Sequence, residues 1–335
     1  MTASLANNTL GHNKSPFNNE ELMFAAYLLI AYSAKEKFKL PEKLKKFQCF
    51  QMVKVVIVKG KNPIETTANA LRMIEPDLSF IFSADKPILI KPNYINSKHP
   101  STGITTDSRV VEGVVKFLKE GGVENIVIGE GSGFANTCEA FKVAGIDVVA
   151  EKWNVKLVDL NRDEFVEAYP PNPIALKKVK VAKTALQSII VSVPKLKLHR
   201  MATVTLGLKN MMGALASKGS MHNGWLSKNI ADLASLLKPS LTVIDGIIAG
   251  EGHETSGNPV EVDLVIAGVD TVAVDAVGAA VMGVDPKDVK HLVLAEEKGL
   301  GTCDLDKITI IGEPLERVKR TFRKSLSSKI LSHLG

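Results

Sequence analysis

Short apolar runs alternate with helical stretches between residues 52 and 160, and this alternation limits the possible folds more than any other feature. Strands are predicted at 52–58, 87–90, 125–129 and 156–159, with helical sequence in each interval. Strands joined through helices pair in parallel, and the connecting helices then cover the faces of the sheet. The sequence therefore predicts an α/β fold with a mainly parallel sheet flanked by helices.

The remaining segments extend this pattern in both directions. A proline-rich stretch at 161–187 separates the first strands from a second set that begins near Ile189, which indicates two lobes around a cleft. Apolar residues recur at four-residue spacing from Val318 to Ile330, as in an amphipathic helix. The predicted segments are a disordered N-terminus (1–18), an N-terminal helical extension (19–48), an α/β domain (49–312, with sub-lobes 49–187 and 188–312) and a basic amphipathic C-terminal helix (313–335).

The net charge of +6 is concentrated in two places. Residues 315–335 carry six Lys or Arg against one Glu, and residues 35–46 carry six Lys against two Glu. Because the rest of the chain has no excess of basic residues, a nucleic-acid groove is not expected. A weak peripheral membrane contact through the C-terminal helix remains an open alternative for the basic tail.

The three cysteines, Cys49, Cys138 and Cys303, lie far apart and form no CxxC spacing. A disulfide framework, a zinc site or an iron–sulfur cluster held by this chain alone is therefore not expected. No secretory signal is visible near the N-terminus, and the sequence predicts a cytoplasmic location.

Four predicted strands end in polar or glycine-rich turns. These turns are KPN at 91–93, GEGSG at 129–133, PKLKLH at 194–199 and DG at 245–246. The carboxyl ends of parallel strands gather at one edge of a sheet, so the four turns are expected to face one cleft. Within that cleft, the backbone amides of the GEGSG turn, which includes Ser132, could cradle an anion; a plain strand-to-helix turn is the alternative.

Ile189–Gly213 combines a strand with a basic segment, and Pro194 is expected to end the strand because it has no N–H to donate. Lysine is a point-charge donor for phosphate or carboxylate groups. The sequence therefore predicts anion clamps, with solvated surface lysines as the alternative; the candidates are Lys91, Lys195, Lys197 and Lys209.

His199 is the predicted acid–base group, since neighbouring lysines would favour its neutral form. Asp245, at the end of a buried strand, is predicted to orient it. A surface histidine in a basic loop is the alternative. His222 and His253 lie in other glycine-containing loops, but no HxH or HxxxH spacing supports metal binding, so no metal site is predicted.

The ordered series of motifs resembles the DUF362 family, a family of unknown function. The resemblance covers about residues 50–312 and rests on IKPN at 90–93, TTDSRVVEGVVKFLKEGG at 105–122, IVIGEGSG at 126–133, PKLKLH at 194–199, TVTLGLKNMMG at 203–213, VIDGIIAGEG at 243–252, SGNPVEVDLVIAGVD at 256–270 and AVDAVGAAVMGVDP at 273–286. Many members carry ferredoxin-like cysteine runs, which this chain lacks. Beyond the residues already named, the resemblance implies a shared ligand site that includes Asn93, Asp107, Glu130, Asn210 and Asp275.

Two functions fit these observations. The first is an enzyme that acts on a small anionic substrate bearing phosphate or carboxylate, with lysine clamps and a histidine acid–base group. The second is a redox accessory or ligand-binding protein that works with a separate ferredoxin-type partner. The sequence does not identify a cofactor.

Overall fold

The computed structural model describes residues 52–325. Its strands are β1 (Val53–Lys59), β2 (Ile88–Pro92), β3 (Ile126–Glu130), β4 (Lys156–Asp159), β5 (Phe165–Ala168), β6 (Val179–Ala182), β7 (Ile189–Val193), β8 (Lys195–His199), β9 (Thr203–Val204), β10 (Leu241–Glu251), β11 (Asn258–Gly268) and β12 (Ile308–Gly312). Its α-helices are α1 (Pro63–Arg72), α2 (Ser79–Phe82), α3 (Ser108–Glu120), α4 (Thr137–Ala144), α5 (Ile146–Trp153), α6 (Lys183–Gln187), α7 (Leu206–Asn210), α8 (Leu226–Leu236), α9 (Thr271–Val281), α10 (Lys290–Glu297) and α11 (Leu315–Val318).

One mixed sheet of ten strands organises the described part of the chain. Its main path runs in the order β12-β1-β11-β10-β7-β2-β3-β4, and β8 and β9 continue it beside β10. Six of the strand pairs in this sheet are parallel and three, β1–β11, β10–β11 and β8–β9, are antiparallel. The predicted α/β fold with a mainly parallel sheet is confirmed.

The sheet crosses the boundary between the two predicted sub-lobes. Strand β2 pairs with β7 over five residues, from Ile88 opposite Ile189 to Pro92 opposite Val193. Strand β1 pairs in turn with β11. Since strands from both halves alternate in one sheet, the described residues do not form two lobes. The proline-rich interval instead contains a separate two-stranded sheet, β5–β6.

The sheet extends further than the sequence predicts. Strand β7 ends at Val193, as Pro194 predicts, but the Pro194 carbonyl accepts a hydrogen bond from Asp245 N at 2.8 Å and the chain pairs with β10 again as β8. Strand β10 likewise runs through Gly246 and Gly250, with a register shift between Gly246 and Ile248. The predicted glycine-rich turn after Asp245 is therefore the middle of a long hairpin with β11.

The sheet is buried on both faces. Neighbouring residues on β10 belong to different apolar clusters: Val243 packs with α1, α3 and α5, whereas Ile244 packs with α8 and α9. This separation follows from the pleat, which points successive side chains to opposite faces. The strands consequently read as continuous apolar runs, and any polar side chain among them needs a partner.

The basic tail is not one helix in the described residues. Helix α11 ends at Val318, and the chain from 319 to 325 is non-helical. Phe322 is buried in the core, and Arg323 pairs with Glu251 at 2.5 Å, which fixes this stretch to the end of β10. The predicted segments 1–18 and 19–48 and the last ten residues lie outside the described residues. Within 52–325, no helix is long and apolar enough to cross a membrane.

Candidate functional site

A cavity of about 460 Å³ lies where the chain leaves β2 and β3, against β8 and α7. Six of the predicted site residues line it, namely Asn93, Glu130, Lys197, His199, Lys209 and Asn210. Six others do not, namely Lys91, Asp107, Ser132, Lys195, Asp245 and Asp275. The predicted site residues therefore fall into two groups: those that line the cavity and those that are buried polar groups away from its wall.

Lys91 belongs to the second, buried group. Its side chain is 1% exposed, and its Nζ donates to Glu130 Oε1 at 2.8 Å. Glu130 also accepts from Gly131 N at 2.8 Å and Tyr94 N at 3.0 Å, so both of its oxygens are occupied. Burial lowers the pKa of Lys91, and the charge of Glu130 opposes that change. This pair joins β2 to β3 and leaves Lys91 without a direct route to a ligand.

Asn210 connects this pair to the cavity. Its Nδ2 donates to Lys91 O at 2.9 Å and to Ser192 Oγ at 3.1 Å. Its Oδ1 accepts from Lys91 Nζ at 3.2 Å and from Asn93 Nδ2 at 3.1 Å. Since a carbonyl can only accept and an ammonium can only donate, these contacts fix the orientation of the Asn210 amide.

Lys195 and Asp245 form a second buried pair, at 2.5 Å and with both side chains fully buried. Asp245 also accepts from Asp107 N at 2.7 Å and Ile247 N at 3.0 Å. Burial raises the pKa of Asp245, and the charge of Lys195 opposes this. Asp107 itself caps α3 and pairs with Arg109. Burial acts to raise the pKa of Asp107, but the hydrogen bonds from Arg109 outweigh it, so the pKa is lowered.

Within residues 52–325, the polar partners of the Asp245 side chain are Lys195, Asp107 and Ile247, and no hydrogen bond or ion pair joins it to His199, so the structure gives no support to the prediction that it orients the histidine. Instead, His199 Nδ1 accepts from Met201 N at 3.2 Å and Ala202 N at 3.1 Å, in the turn that follows β8. Burial, and then the charges of Lys209 and Lys197, lower the pKa of His199, so the ring is neutral. With Nδ1 accepting, the proton must lie on Nε2. His199 lines the cavity, and its Nε2 donor lies 3.7 Å from Glu254 Oε1, too far for a hydrogen bond.

Lys197 is buried and held by two carbonyl oxygens. Its Nζ donates to Ile104 O at 2.7 Å and to Glu254 O at 3.2 Å. Burial, followed by the charges of Lys209 and Lys195, lowers its pKa to about 7. The carbonyls cannot neutralise its charge, so Lys197 makes the cavity wall positive when it is protonated.

Lys209 differs from the other predicted clamps. It makes no hydrogen bond or ion pair within residues 52–325, although it is half-buried and lines the cavity. Burial lowers its pKa to about 8, while Glu254 acts in the opposite direction. An amine with this pKa and no partner is available to a ligand and can exchange a proton near neutral pH.

Asp275 fixes the short helix that carries Lys209. It accepts from Gly207 N at 2.7 Å and Leu208 N at 2.9 Å, at the start of α7. Gly207 lies so close that a Cβ there would be 2.8 Å from Asp275 Oδ1. Burial raises the pKa of Asp275 to about 7. Its role is to position α7 and not to touch a ligand, since it does not line the cavity.

The GEGSG turn is not an anion cradle. Gly131 N donates to Glu130, Ser132 N to Thr137 Oγ1 at 3.2 Å, and Gly133 N to Ile95 O at 3.2 Å. The Ser132 hydroxyl donates to Tyr94 O at 2.6 Å. Since these donors already have acceptors, the turn shapes the wall of the cavity but offers it no amides.

The sequence did not identify several residues of the cavity wall. Arg200, Thr205, Lys218 and Glu254 line it, as does His222, which the sequence considered only as a metal ligand. Thr205 and Arg200 lie within the basic segment, so their closeness in sequence to His199 could have identified them. Nothing in the sequence identifies Glu254, which lies in the hairpin between β10 and β11. No group of three or more His, Cys, Asp or Glu side chains within 52–325 is placed to hold a metal ion.

Comparisons with known proteins agree with the motif pattern. The model of the family described as "Domain of unknown function (DUF362)" matches residues 88–280, more than half of the chain. The thylakoid-associated protein sll1697 of Synechocystis sp. (strain ATCC 27184 / PCC 6803 / Kazusa) is 24% identical over 252 residues, which cover 72% of this chain and 76% of that protein. No solved structure matches this chain. The chain belongs to the DUF362 family.

Proposed function

We propose that this protein is an enzyme that acts on a small anionic substrate bound in the cavity, and that Lys209 transfers a proton in the reaction. One observation carries this proposal: Lys209 lines the cavity and has no partner within residues 52–325. Lys209 is half-buried, and a titratable group whose pKa is lowered by burial at the wall of a cavity indicates a functional site.

The balance of charge supports an anion. The cavity wall carries four basic side chains, Lys197, Arg200, Lys209 and Lys218, against two carboxylates, Glu130 and Glu254. Both carboxylates are already paired, Glu130 with Lys91 and Glu254 with Arg200 at 3.2 Å. The surplus is therefore positive, and walls of low dielectric strengthen its effect on a bound charge.

The chemistry of the two central groups suits proton transfer. A pKa of about 8 lets Lys209 give or accept a proton near neutral pH. His199 is neutral and presents Nε2–H, so it stabilises negative charge on a substrate oxygen by donating a hydrogen bond. This assignment reverses the predicted roles, in which His199 moved the proton and Lys209 held the anion.

Exchange of substrate protons tests the proposal without knowledge of the product. The full chain is mixed in D₂O with a panel of small hydroxy- and keto-carboxylates and phosphate esters, and loss of C–H signals is followed by proton NMR. We expect exchange with at least one carboxylate, a drop of at least about tenfold in Lys209→Met, and no change in Lys156→Met, an exposed lysine on β4.

A second variant isolates His199. In His199→Asn the side-chain oxygen can take the place of Nδ1 as acceptor for Met201 N and Ala202 N, but the Nε2 donor is lost. We expect this variant to fold and to lose exchange. A ligand-carrying or redox accessory protein, the alternative with a separate ferredoxin-type partner, would bind the carboxylate in all variants except Lys209→Met and exchange none of its protons.

The cellular setting is a further part of this proposal. We place the reaction in the cytoplasm, with weak peripheral membrane contact through the basic tail, and the name of the thylakoid-associated relative favours the membrane contact. Liposome co-sedimentation of the full chain and of a variant in which Lys319, Lys324 and Lys329 are replaced by glutamine tests it. These substitutions keep the pairing of Arg323 with Glu251. Equal pelleting of the two forms would remove the membrane contact.

A further inference from the structure

We infer that the substrate is a carboxylate that also carries a hydrogen-bond donor, such as a hydroxyl group, and an apolar body. This inference rests on the proposed function and narrows its substrate class. It excludes simple phosphate esters as the preferred ligands. Three independent features of the cavity support it: an orphaned acceptor, the lack of a phosphate cradle, and an apolar wall.

The orphaned acceptor is Asn93 Oδ1. Asn93 is 8% exposed, lines the cavity, and its Oδ1 has no hydrogen-bond partner within residues 52–325. The orientation of its amide is determined by Asn210, whose Oδ1 can only accept and so requires Nδ2 of Asn93 to face it at 3.1 Å. The oxygen of Asn93 is therefore the free end of the amide, and only a donor satisfies it.

Thr205 adds a second unsatisfied group. Thr205 also lines the cavity and is 5% exposed, and its Oγ1 has no hydrogen-bond partner in the described residues. A hydroxyl can donate or accept, so Thr205 can bond to the hydroxyl or to the carboxylate of a substrate whose donor is bound by Asn93. If a bound ligand left Asn93 Oδ1 and Thr205 Oγ1 without hydrogen bonds, binding would lose free energy. A ligand with its own donor avoids this loss.

A phosphate group would find few partners here. Phosphate sites rely on converging backbone amides and cations, but the amides of the GEGSG turn donate to Glu130, Thr137 and Ile95. Of the cavity lysines, Lys197 is held by two carbonyls and Lys218 by Asn161 Oδ1 at 2.6 Å and Leu215 O at 2.9 Å. Among the cavity lysines in residues 52–325, Lys209 alone has a free amine, which matches the single charge of a carboxylate.

The apolar wall defines the rest of the ligand. Ile95 and Met212 line the cavity, and Phe134 and Met201 line it while remaining 76% and 42% exposed. Exposed apolar side chains at the wall of a cavity are suited to cover an apolar group of the ligand. A volume of about 460 Å³ lies within the range of small-molecule sites.

Three matched probes test the inference on the wild-type protein by isothermal titration: phenyllactate, phenylpropionate, which lacks the hydroxyl, and phenyl phosphate. We expect phenyllactate to bind at least about tenfold more tightly than either of the others, because a buried acceptor left unpaired penalises the ligand that lacks the donor. In Asn93→Leu, which has a similar side-chain size, this preference for the hydroxyl should disappear. In Lys156→Met, the exposed control on β4, it should persist.

The outcomes separate the two levels of the proposal. If phenyllactate and phenylpropionate bind equally, but both lose affinity in Lys209→Met, the donor inference is overturned and the anion site stands. If phenyl phosphate binds best, the inference is also overturned. If affinity for every probe is unchanged in Lys209→Met, the proposed function fails as well. Because the comparison of ligands uses the wild-type chain, an Asn93→Leu variant that did not fold would leave the test intact.

Discussion

Replacing Lys91 with methionine distinguishes a structural lysine from a ligand clamp. Lys91 is 1% exposed, and Glu130, its partner at 2.8 Å, is 3% exposed. The substitution keeps the length of the side chain and removes its charge, so Glu130 is left buried with only the amides of Tyr94 and Gly131. Breaking a buried ion pair from one side costs about 3–5 kcal/mol. We expect the free energy of unfolding to fall by that amount.

A double variant checks that this loss comes from the unpaired charge. In Lys91→Met with Glu130→Gln, no charge remains in the pair, and the glutamine oxygen can still accept from one of the two amides. We expect the double variant to be more stable than Lys91→Met alone, by about 1–3 kcal/mol, because the desolvated carboxylate is gone. The coupling between the two positions is then measurable as the departure from additivity.

Urea unfolding followed by tryptophan fluorescence gives these free energies, and titration of a carboxylate probe on the same preparations gives ligand affinity. The structure predicts a large loss of stability for Lys91→Met and, in the folded fraction, a much smaller effect on affinity than Lys209→Met produces. Unchanged stability within about 0.5 kcal/mol, together with lost binding, would refute this reasoning and restore Lys91 as a direct clamp.

Three further predictions concern the support of the site, each measured by chemical denaturation. Gly213→Ala should destabilise by about 1–3 kcal/mol, because a Cβ there would lie 2.1 Å from Glu130 Oε1; a neutral effect would contradict this packing. Asp275, with its pKa raised from 3.8 to about 7 by burial, contributes stability that is present below its unfolded pKa and is lost as pH rises through about 7. The stability advantage of wild type over Asp275→Asn should therefore shrink by up to about 4 kcal/mol from acid to neutral pH, and a constant difference would contradict it. Asp232 is fully buried, accepts hydrogen bonds from three backbone amides of the 174–176 segment and pairs with Lys298 at 3.0 Å. Asp232→Ala should therefore lower the free energy of unfolding by about 3 kcal/mol or more. A change below about 1 kcal/mol would contradict its role in fixing that segment.

Local signals in the sequence were sufficient for the central strands and helices. Asp107 caps α3 and Asp270 caps α9, and each stands directly before its helix, because capping depends only on residues two or three places apart. Apolar runs likewise located the central strands, since a strand buried on both faces shows a continuous run. The α/β class followed from these signals alone.

The polar contacts depended on partners that lie far apart in the chain. Lys91 meets Glu130 at a separation of 39 residues, and Lys195 meets Asp245 only because β8 continues the sheet past Pro194. A lysine reads the same in sequence whether it binds a ligand or a buried carboxylate. The four predicted clamps were therefore indistinguishable until the structure showed which amine lacks a partner.

The most direct test of the anion site is proton uptake when a carboxylate binds, measured by titration calorimetry in buffers with different ionisation enthalpies. Burial holds the pKa of Lys209 at about 8 in the free protein, and a bound anion must raise it. Affinity should therefore be greatest below about pH 8 and fall as pH rises, by up to about tenfold per pH unit. Near pH 8, where Lys209 is half-protonated, binding should take up as much as about half a proton from this group, and Lys209→Met should remove that uptake. Affinity and uptake that are independent of pH, or identical in Lys209→Met, would contradict the assignment of Lys209 as the anion-binding and proton-transferring group.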